Sequence, residues 1–184
     1  RSIMEMDCDA VYRIDASGNV LKILSQPDIQ RPNGIAVNQA GTTLYLVDSC
    51  PAVGGNRKIW KFSLSESGNI DDQQELWDFG EGRGADGMRL SVSGNLYIAA
   101  GITTPRGPHE NRDVLTGVYV LSPLGEMLAR IPIPEDVITN LAFGGSYGQT
   151  IFITAGKTLY RTDVPDVGEV AYPNWQQRSA GVSE

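Results

Sequence analysis

The stretch that decides the fold is Arg-Pro-Asn-Gly-Ile-Ala-Val at residues 31–37. Altered copies follow at residues 85–90, Ala-Asp-Gly-Met-Arg-Leu, and at residues 139–143, Thr-Asn-Leu-Ala-Phe. Each copy places one Asn or Asp shortly ahead of an apolar run. These polar residues are Asn33, Asp86 and Asn140. Their spacings of 53 and 54 residues predict a repeat architecture, in which each repeat is one supersecondary unit.

Each repeat alternates short apolar runs with glycine-containing turns. The four runs of the first full repeat lie at residues 35–37, 43–48, 58–64 and 75–79. They are rich in β-branched and aromatic residues, which are enriched in strands. An earlier pair of runs, residues 11–15 and 20–24, predicts a hairpin. No stretch has sustained helical periodicity, so the sequence predicts an all-β chain.

Four antiparallel strands in roughly 50 residues match the size of one propeller blade. A β-sandwich also has short strands and glycine turns, but it gives no reason for a repeat of this length. We therefore expect a single incomplete β-propeller domain over residues 1–184, with a half blade at 1–30 and blades at about 31–84, 85–138 and 139–184. Because propellers have typically about four to eight blades, the chain is expected to be the C-terminal part of a longer protein.

Composition and charge weigh against several classes of partner. The chain is 41% hydrophobic and 20% charged, which is ordinary for a globular domain. Its net charge of −7 argues against the basic stripe that nucleic-acid binding needs. No apolar run approaches the roughly 18–20 residues of a membrane span, so we expect neither a nucleic-acid nor a membrane partner. Cys8 and Cys50 have no metal-ligand spacing and form no disulfide framework.

The repeat predicts a shared site on the propeller axis. The first strand of each blade lines the central channel, so Asn33, Asp86 and Asn140 would form a ring at one mouth of that channel. Side-chain oxygens of this kind are the ligands of a hard cation such as Ca²⁺. The glycine that follows Asn33 and Asp86 would let the backbone bend sharply. The alternative is that Asn-Gly and Asp-Gly are ordinary turn dipeptides, and the residues alone leave both interpretations open.

Further polar residues are candidates for substrate contacts. Arg83, just ahead of the second motif, could face a carboxylate or a sugar hydroxyl. The loop at residues 101–116 carries Arg106 and His109, and it could overhang the channel mouth as a lid or substrate wall. An ordinary solvated loop is the alternative. His109 could serve as a general base or be a bystander, and Asn140 could be a peripheral contact or the same turn reused.

The motifs resemble those of the senescence-marker-protein/gluconolactonase family, which includes regucalcin. The resemblance is carried by residues 31–37, 43–48, 86–88, 94–99 and 139–145. It covers most of residues 11–162 and implies a six-bladed propeller that hydrolyses sugar lactones. It also implies one divalent cation as cofactor, with Ca²⁺ favoured and Zn²⁺ or Mn²⁺ as alternatives. A calcium enzyme would in turn favour an exported or periplasmic location.

The resemblance also assigns roles to individual residues. Asn33 and Asp86 match two of the family's three metal ligands, and Asp86 matches its proposed general base. The third ligand, a Glu, lies upstream of the residues present, as do the family's substrate-binding Arg and Asn. The site is therefore expected to be incomplete without the missing N-terminal blades, and this part alone is expected to be inactive.

The leading hypothesis is thus a metal-dependent lactonase that acts on a small-molecule lactone. A non-catalytic propeller that binds a protein or a glycan is one alternative, because fold does not fix function. A related arylesterase or organophosphate hydrolase is another.

Overall fold

A computed structural model of the chain describes residues 8–107 and 110–169. These residues fold into thirteen β-strands in four sheets and contain no helix, which confirms the all-β prediction. The strands are β1 (Ala10–Ile14), β2 (Val20–Ser25), β3 (Pro32–Val37), β4 (Thr43–Ser49), β5 (Arg57–Leu64), β6 (Ile70–Asp78), β7 (Ala85–Leu90), β8 (Leu96–Ala100), β9 (Gly117–Leu121), β10 (Met127–Pro132), β11 (Ile138–Gly144), β12 (Thr150–Ala155) and β13 (Thr158–Asp163).

Every sheet is an antiparallel meander of consecutive strands. The sheets are β1–β2, β3–β4–β5–β6, β7–β8–β9–β10 and β11–β12–β13. Short turns suffice because antiparallel neighbours need no crossover connection. Each sequence repeat thus begins a new sheet, and β3, β7 and β11 carry Asn33, Asp86 and Asn140 at their starts. The hairpin predicted ahead of the first repeat is present as β1 and β2.

The strand at the end of the first repeat is longer than its sequence pattern predicts. Its apolar run suggests residues 75–79, whereas β6 occupies Ile70–Asp78. It pairs with β5 over almost its whole length, with two register shifts. Most of β6 is exposed, so its polar first half gives no burial pattern from which a strand could be read.

Three apolar layers join the four sheets in chain order. One layer, which includes Leu46, packs the β1–β2 hairpin against β4 and β5. The next, which includes Met88, lies between the β3–β6 and β7–β10 sheets. The third, which includes Ile153, lies between the β7–β10 and β11–β13 sheets. Each of these three side chains is fully buried, so the sheets are held together mainly by removal of apolar surface from water.

Strand β8 contributes to two of these layers at once. Leu96, Ile98 and Ala100 belong to the layer against the preceding sheet. Tyr97 and Ala99 belong to the layer against the following sheet. Because successive side chains of a strand point to opposite faces, a strand covered on both faces reads as a continuous apolar run.

The first strands of the three larger sheets carry β-bulges at equivalent places. Register shifts interrupt the pairing between Pro32 and Ile35, and between Ala85 and Met88. A third shift follows Ile138 in β11. Bulges re-aim side chains and recur next to active sites. The Asn-Gly and Asp-Gly dipeptides therefore lie inside strands, and the alternative that they are turn dipeptides is wrong.

The glycines at these bulges are required by close packing. Neither Gly34 nor Gly87 has a positive φ. A Cβ on Gly34 would collide with the backbone oxygen of Asp86, and one on Gly87 would collide with the Asn140 side chain. Strands β3, β7 and β11 thus lie side by side, and the glycines permit that approach.

The chain after β13 returns to the middle of the molecule. Gly168 forms an isolated bridge to Ser91, and the backbone N–H of Glu169 donates to the oxygen of Leu90. Asp166 accepts hydrogen bonds from Asn95 Nδ2 and the Tyr97 hydroxyl, at 2.8 and 3.1 Å. Burial, together with the negative charge of Asp166, raises the pKa of Tyr97. This segment ties the last sheet to its neighbour at the end of β7 opposite Asp86.

Within residues 8–107 and 110–169, Cys8 and Cys50 are both free thiols, and no helix has the length and apolarity needed to cross a membrane.

Candidate functional site

The bulges of β3 and β7 bring Asn33 and Asp86 into direct contact. Asn33 Nδ2 donates to Asp86 Oδ1 at 2.6 Å, although 53 residues separate the two in sequence. The Asp86 side chain is only 17% exposed. The Asn33 amide and the Asp86 carboxylate thus form a partly buried pair where the β3–β6 sheet meets the β7–β10 sheet.

Arg83 occupies the other side of the same carboxylate. Its Nη2 lies 2.6 Å from Asp86 Oδ2, and its Nη1 lies 3.4 Å from Glu110 Oε1. The Arg83 side chain is 18% exposed, so this ion pair is less screened than a surface pair. Its Nε is buried and has no acceptor among the described residues. Arg83 therefore fixes the carboxylate of Asp86 from the side away from Asn33.

Glu110 attaches the loop between β8 and β9 to this site. Besides pairing with Arg83, its Oε2 accepts the backbone N–H of Arg106 at 2.7 Å. The sequence shows Glu110 only as one charged residue of that loop. Its role escapes sequence reasoning because its partner lies 27 positions earlier and no periodic pattern connects the two.

A buried carboxylate supports the segment that leads into β3. Asp48 has no exposed surface. It accepts the backbone N–H of Gln30 at 3.0 Å and that of Arg31 at 2.6 Å. Two side chains, Asn56 and Trp60, donate to the same carboxylate. These bonds hold the start of β3, which carries Asn33.

A cavity of about 550 Å³ opens in front of the Asn33–Asp86 pair. Its charged lining residues are Arg31, Arg83, Asp86, Arg106 and Glu110. The sequence candidates Asn33, Asp86, Arg83 and Arg106 are therefore brought together by the structure.

The remaining two candidates do not join this group. Asn140, on the neighbouring β11, is not among the described residues that line the cavity. Its Oδ1 accepts the backbone N–H of Leu141, and its side chain packs beside Gly87. His109 lies outside the described residues.

Comparison with known proteins settles the family. Residues 2–157 match the family described as the SMP-30/Gluconolactonase/LRE-like region. The chain belongs to this family. The resemblance that the repeated motifs indicate is thereby confirmed.

Relatives in the SMP-30/gluconolactonase family share the sequence and the fold. A gluconolactonase of Zymomonas mobilis is 29% identical over 174 residues, which cover 90% of this chain and 43% of that protein. The structure of a gluconolactonase from Xanthomonas campestris superposes with a TM-score of 0.69 at 24% identity, covering 89% of this chain and 47% of that one. A calcium-binding protein, regucalcin from Agrobacterium tumefaciens, gives a TM-score of 0.61 at 22% identity, covering 80% and 44%. The chain thus spans less than half the length of each.

The residues at the site fit part of an oxygen ligand set for a metal ion. The Asn33 amide and the Asp86 carboxylate touch each other, and Ca²⁺ takes about six to eight oxygen ligands, water included. Among the described residues, no group of three or more His, Cys, Asp or Glu could hold a metal by itself. The Arg83 guanidinium also competes for one oxygen of Asp86. Asn33 and Asp86 could therefore supply two of the oxygen ligands that a hard cation needs, and the rest would have to come from elsewhere.

Proposed function

We propose that the protein containing this chain hydrolyses sugar lactones with the help of one divalent cation, held in part by Asn33 and Asp86. The observation that carries the proposal is the 2.6 Å contact between these two side chains at the start of neighbouring strands. Relatives named gluconolactonase and 6-deoxy-6-sulfogluconolactonase support a lactone as the substrate. The calcium-binding structural relative supports Ca²⁺ over Zn²⁺ or Mn²⁺.

The proposal includes a larger architecture. The chain would form part of a six-bladed β-propeller, with a half blade at residues 1–30 and blades at about 31–84, 85–138 and 139–184. One support is that each sheet packs against the next one in the sequence. Another is that the chain covers less than half the length of its relatives. N-terminal blades would supply the remaining ligand, so this part alone would be inactive.

The residues of this chain have distinct roles in the proposed reaction. A bound cation would polarise the lactone carbonyl and stabilise the developing oxyanion. Asp86 would accept a proton from the attacking water while the water oxygen bonds to the carbonyl carbon. The ring C–O bond then breaks, and the proton passes to the leaving ring oxygen, which gives a hydroxy acid. Arg83 positions the Asp86 carboxylate through Oδ2, and Glu110 holds Arg83.

The test measures both activity and metal binding in the complete protein. A chelator should abolish hydrolysis of D-glucono-1,5-lactone, and added Ca²⁺ should restore it. Replacement of Asp86 by Asn should lower kcat/KM by about 100-fold or more, whereas Asp72→Asn on the exposed side of β6 should have no effect. Calorimetric Ca²⁺ titration of the same variant tests the ligand role by itself, because Ca²⁺ affinity should fall in Asp86→Asn only if Asp86 holds the cation.

Three outcomes would contradict the proposal. Full activity in both the chelated protein and the Asp86→Asn variant would exclude the metal-dependent reaction. Absence of hydrolysis towards lactones, with turnover of phenyl acetate or of a phosphotriester, would favour the related esterase, and no turnover of any ester would favour a binding propeller.

A further inference from the structure

The cavity in front of the Asn33–Asp86 pair has an excess of positive charge. Three guanidinium groups, those of Arg31, Arg83 and Arg106, line it together with the two carboxylates of Asp86 and Glu110. The whole chain carries a net charge of −7. The local excess of arginine is therefore opposite in sign to the rest of the molecule, and the average composition of the surface does not account for it.

The two carboxylates are engaged mainly by one of these arginines. Arg83 lies 2.6 Å from Asp86 and 3.4 Å from Glu110. Arg106 Nε reaches Glu110 only at 4.0 Å, and the Arg106 side chain is 54% exposed. Arg31 forms no ion pair with any residue that the structure describes. Arg31 and Arg106 therefore keep most of their donors for a ligand.

The backbone at Arg31 is fixed although its side chain is exposed. The Arg31 N–H donates to the buried Asp48, and its carbonyl oxygen accepts the N–H of Ser49. Because this backbone is already anchored, binding an anion at Arg31 costs side-chain entropy but little further backbone entropy.

We propose that the substrate of this cavity is a sugar lactone that carries an anionic group, and that Arg31 and Arg106 bind that group. The inference rests on the proposed lactonase function and names its substrate class. A guanidinium donates two parallel N–H groups to a carboxylate or a similar oxyanion. A neutral lactone would leave Arg31 without a charged partner among the described residues and Arg106 with only its 4.0 Å contact to Glu110, whereas an anionic one would neutralise the local excess. The carboxylates of Asp86 and Glu110 oppose an anion less strongly because Arg83 pairs with both.

The kinetic test compares two lactones in the complete protein. D-glucaro-1,4-lactone bears a carboxylate, and D-glucono-1,5-lactone is neutral. We expect the carboxylate-bearing lactone to have the higher kcat/KM. Arg31→Gln should lower that value by about 10-fold to 100-fold, the range for loss of one charge-assisted hydrogen bond, mainly through KM. The same variant should lower the value for the neutral lactone by a clearly smaller factor, since no charged contact to that substrate is lost.

Two further variants control the kinetic result. Arg31→Lys, which keeps the charge but not the planar donor pair, should recover part of the loss. Arg161→Gln, on the exposed side of β13 and away from the cavity, should change neither lactone.

A binding measurement gives a readout that does not need turnover. Calorimetric titration with D-glucarate should show binding that weakens at higher salt and in Arg31→Gln, whereas neutral sorbitol should not bind. Equal efficiency for both lactones, with an equal effect of Arg31→Gln on each, would overturn this inference and leave the lactonase proposal standing. Failure of D-glucarate to bind would overturn it as well. Arg31-dependent binding of D-glucarate without hydrolysis of any lactone would instead retain the anion site and reject the lactonase.

Discussion

Asp48 shows how one buried residue can control a site that it does not enter. Its carboxylate is fully buried, and it accepts two backbone and two side-chain hydrogen bonds. Burial of a charge is costly unless the charge is well hydrogen-bonded, and here four donors converge on it. Because two of these donors belong to Gln30 and Arg31, the carboxylate fixes both the start of β3 and the backbone of one cavity arginine.

Replacement of Asp48 by Asn tests this role at nearly constant volume. The new amide keeps one acceptor oxygen, but its NH2 group would face a donor at the other position, so at least one buried N–H would lose its acceptor. We expect the free energy of unfolding to fall by about 1–3 kcal/mol, measured by urea denaturation. Asp72→Asn, on the exposed part of β6, should change it by less than about 0.5 kcal/mol. An equal response of the two variants would contradict a structural role for Asp48.

At the scale of elements, the site depends on how the first strands of adjacent sheets approach each other. A bulge in β3 and another in β7 place Asn33 and Asp86 opposite each other. Gly34 lies where a Cβ would meet the oxygen of Asp86, and would lie 3.1 Å from the nitrogen of Met88. The atoms in the way are backbone and cannot rotate aside. The absence of a side chain at this position is thus what allows the two strands to meet.

Gly34→Ala should therefore separate β3 from β7. We expect it to destabilise the protein by about 1–3 kcal/mol, as for overpacking of a close contact, measured as the shift in free energy of unfolding. Gly107→Ala is the matched control, because a Cβ there would meet no heavy atom of the described residues within 4 Å. If both alanine variants are as stable as the unmodified protein, the close approach of the two strands is not required.

At the scale of the whole molecule, the apolar layers make neighbouring sheets depend on one another. Ile98 in β8 lies in the layer shared with the preceding sheet. Tyr97, its neighbour in the same strand, lies in the layer shared with the following sheet. A loss of packing in one layer is therefore transmitted through β8 to the other.

A substitution in the last layer should consequently weaken sheets that it does not touch. Ile153→Ala, at a fully buried position, should lower the free energy of unfolding by about 2–5 kcal/mol. Amide hydrogen exchange should become faster in β4 as well as in β12. Leu128→Ala, at a 52% exposed position of β10, should have little effect. Unchanged exchange in β4 of the Ile153→Ala protein would show that the sheets unfold independently.

The sequence by itself determined the parts of this protein that depend on local pattern. Alternation of apolar and polar residues identifies most strands, and the 53- and 54-residue spacings identify the repeat. The same spacings select Asn33 and Asp86 as equivalent positions, because each opens a strand that begins a sheet. The apolar–polar pattern does not predict a strand where the side chains are exposed, as in the first half of β6.

Only the tertiary structure decided which side chains meet across elements. The pairing of Arg83 with Glu110, the four donors around Asp48 and the place of Arg31 at the cavity depend on how loops and strands are arranged in space. No periodicity links these residues, since their contacts join segments with unrelated spacings. The sequence suggests that Gly34 allows a sharp backbone bend, whereas the structure shows that it allows two strands to approach closely. This contact exists only once the sheets have packed, so it could not be predicted from the sequence.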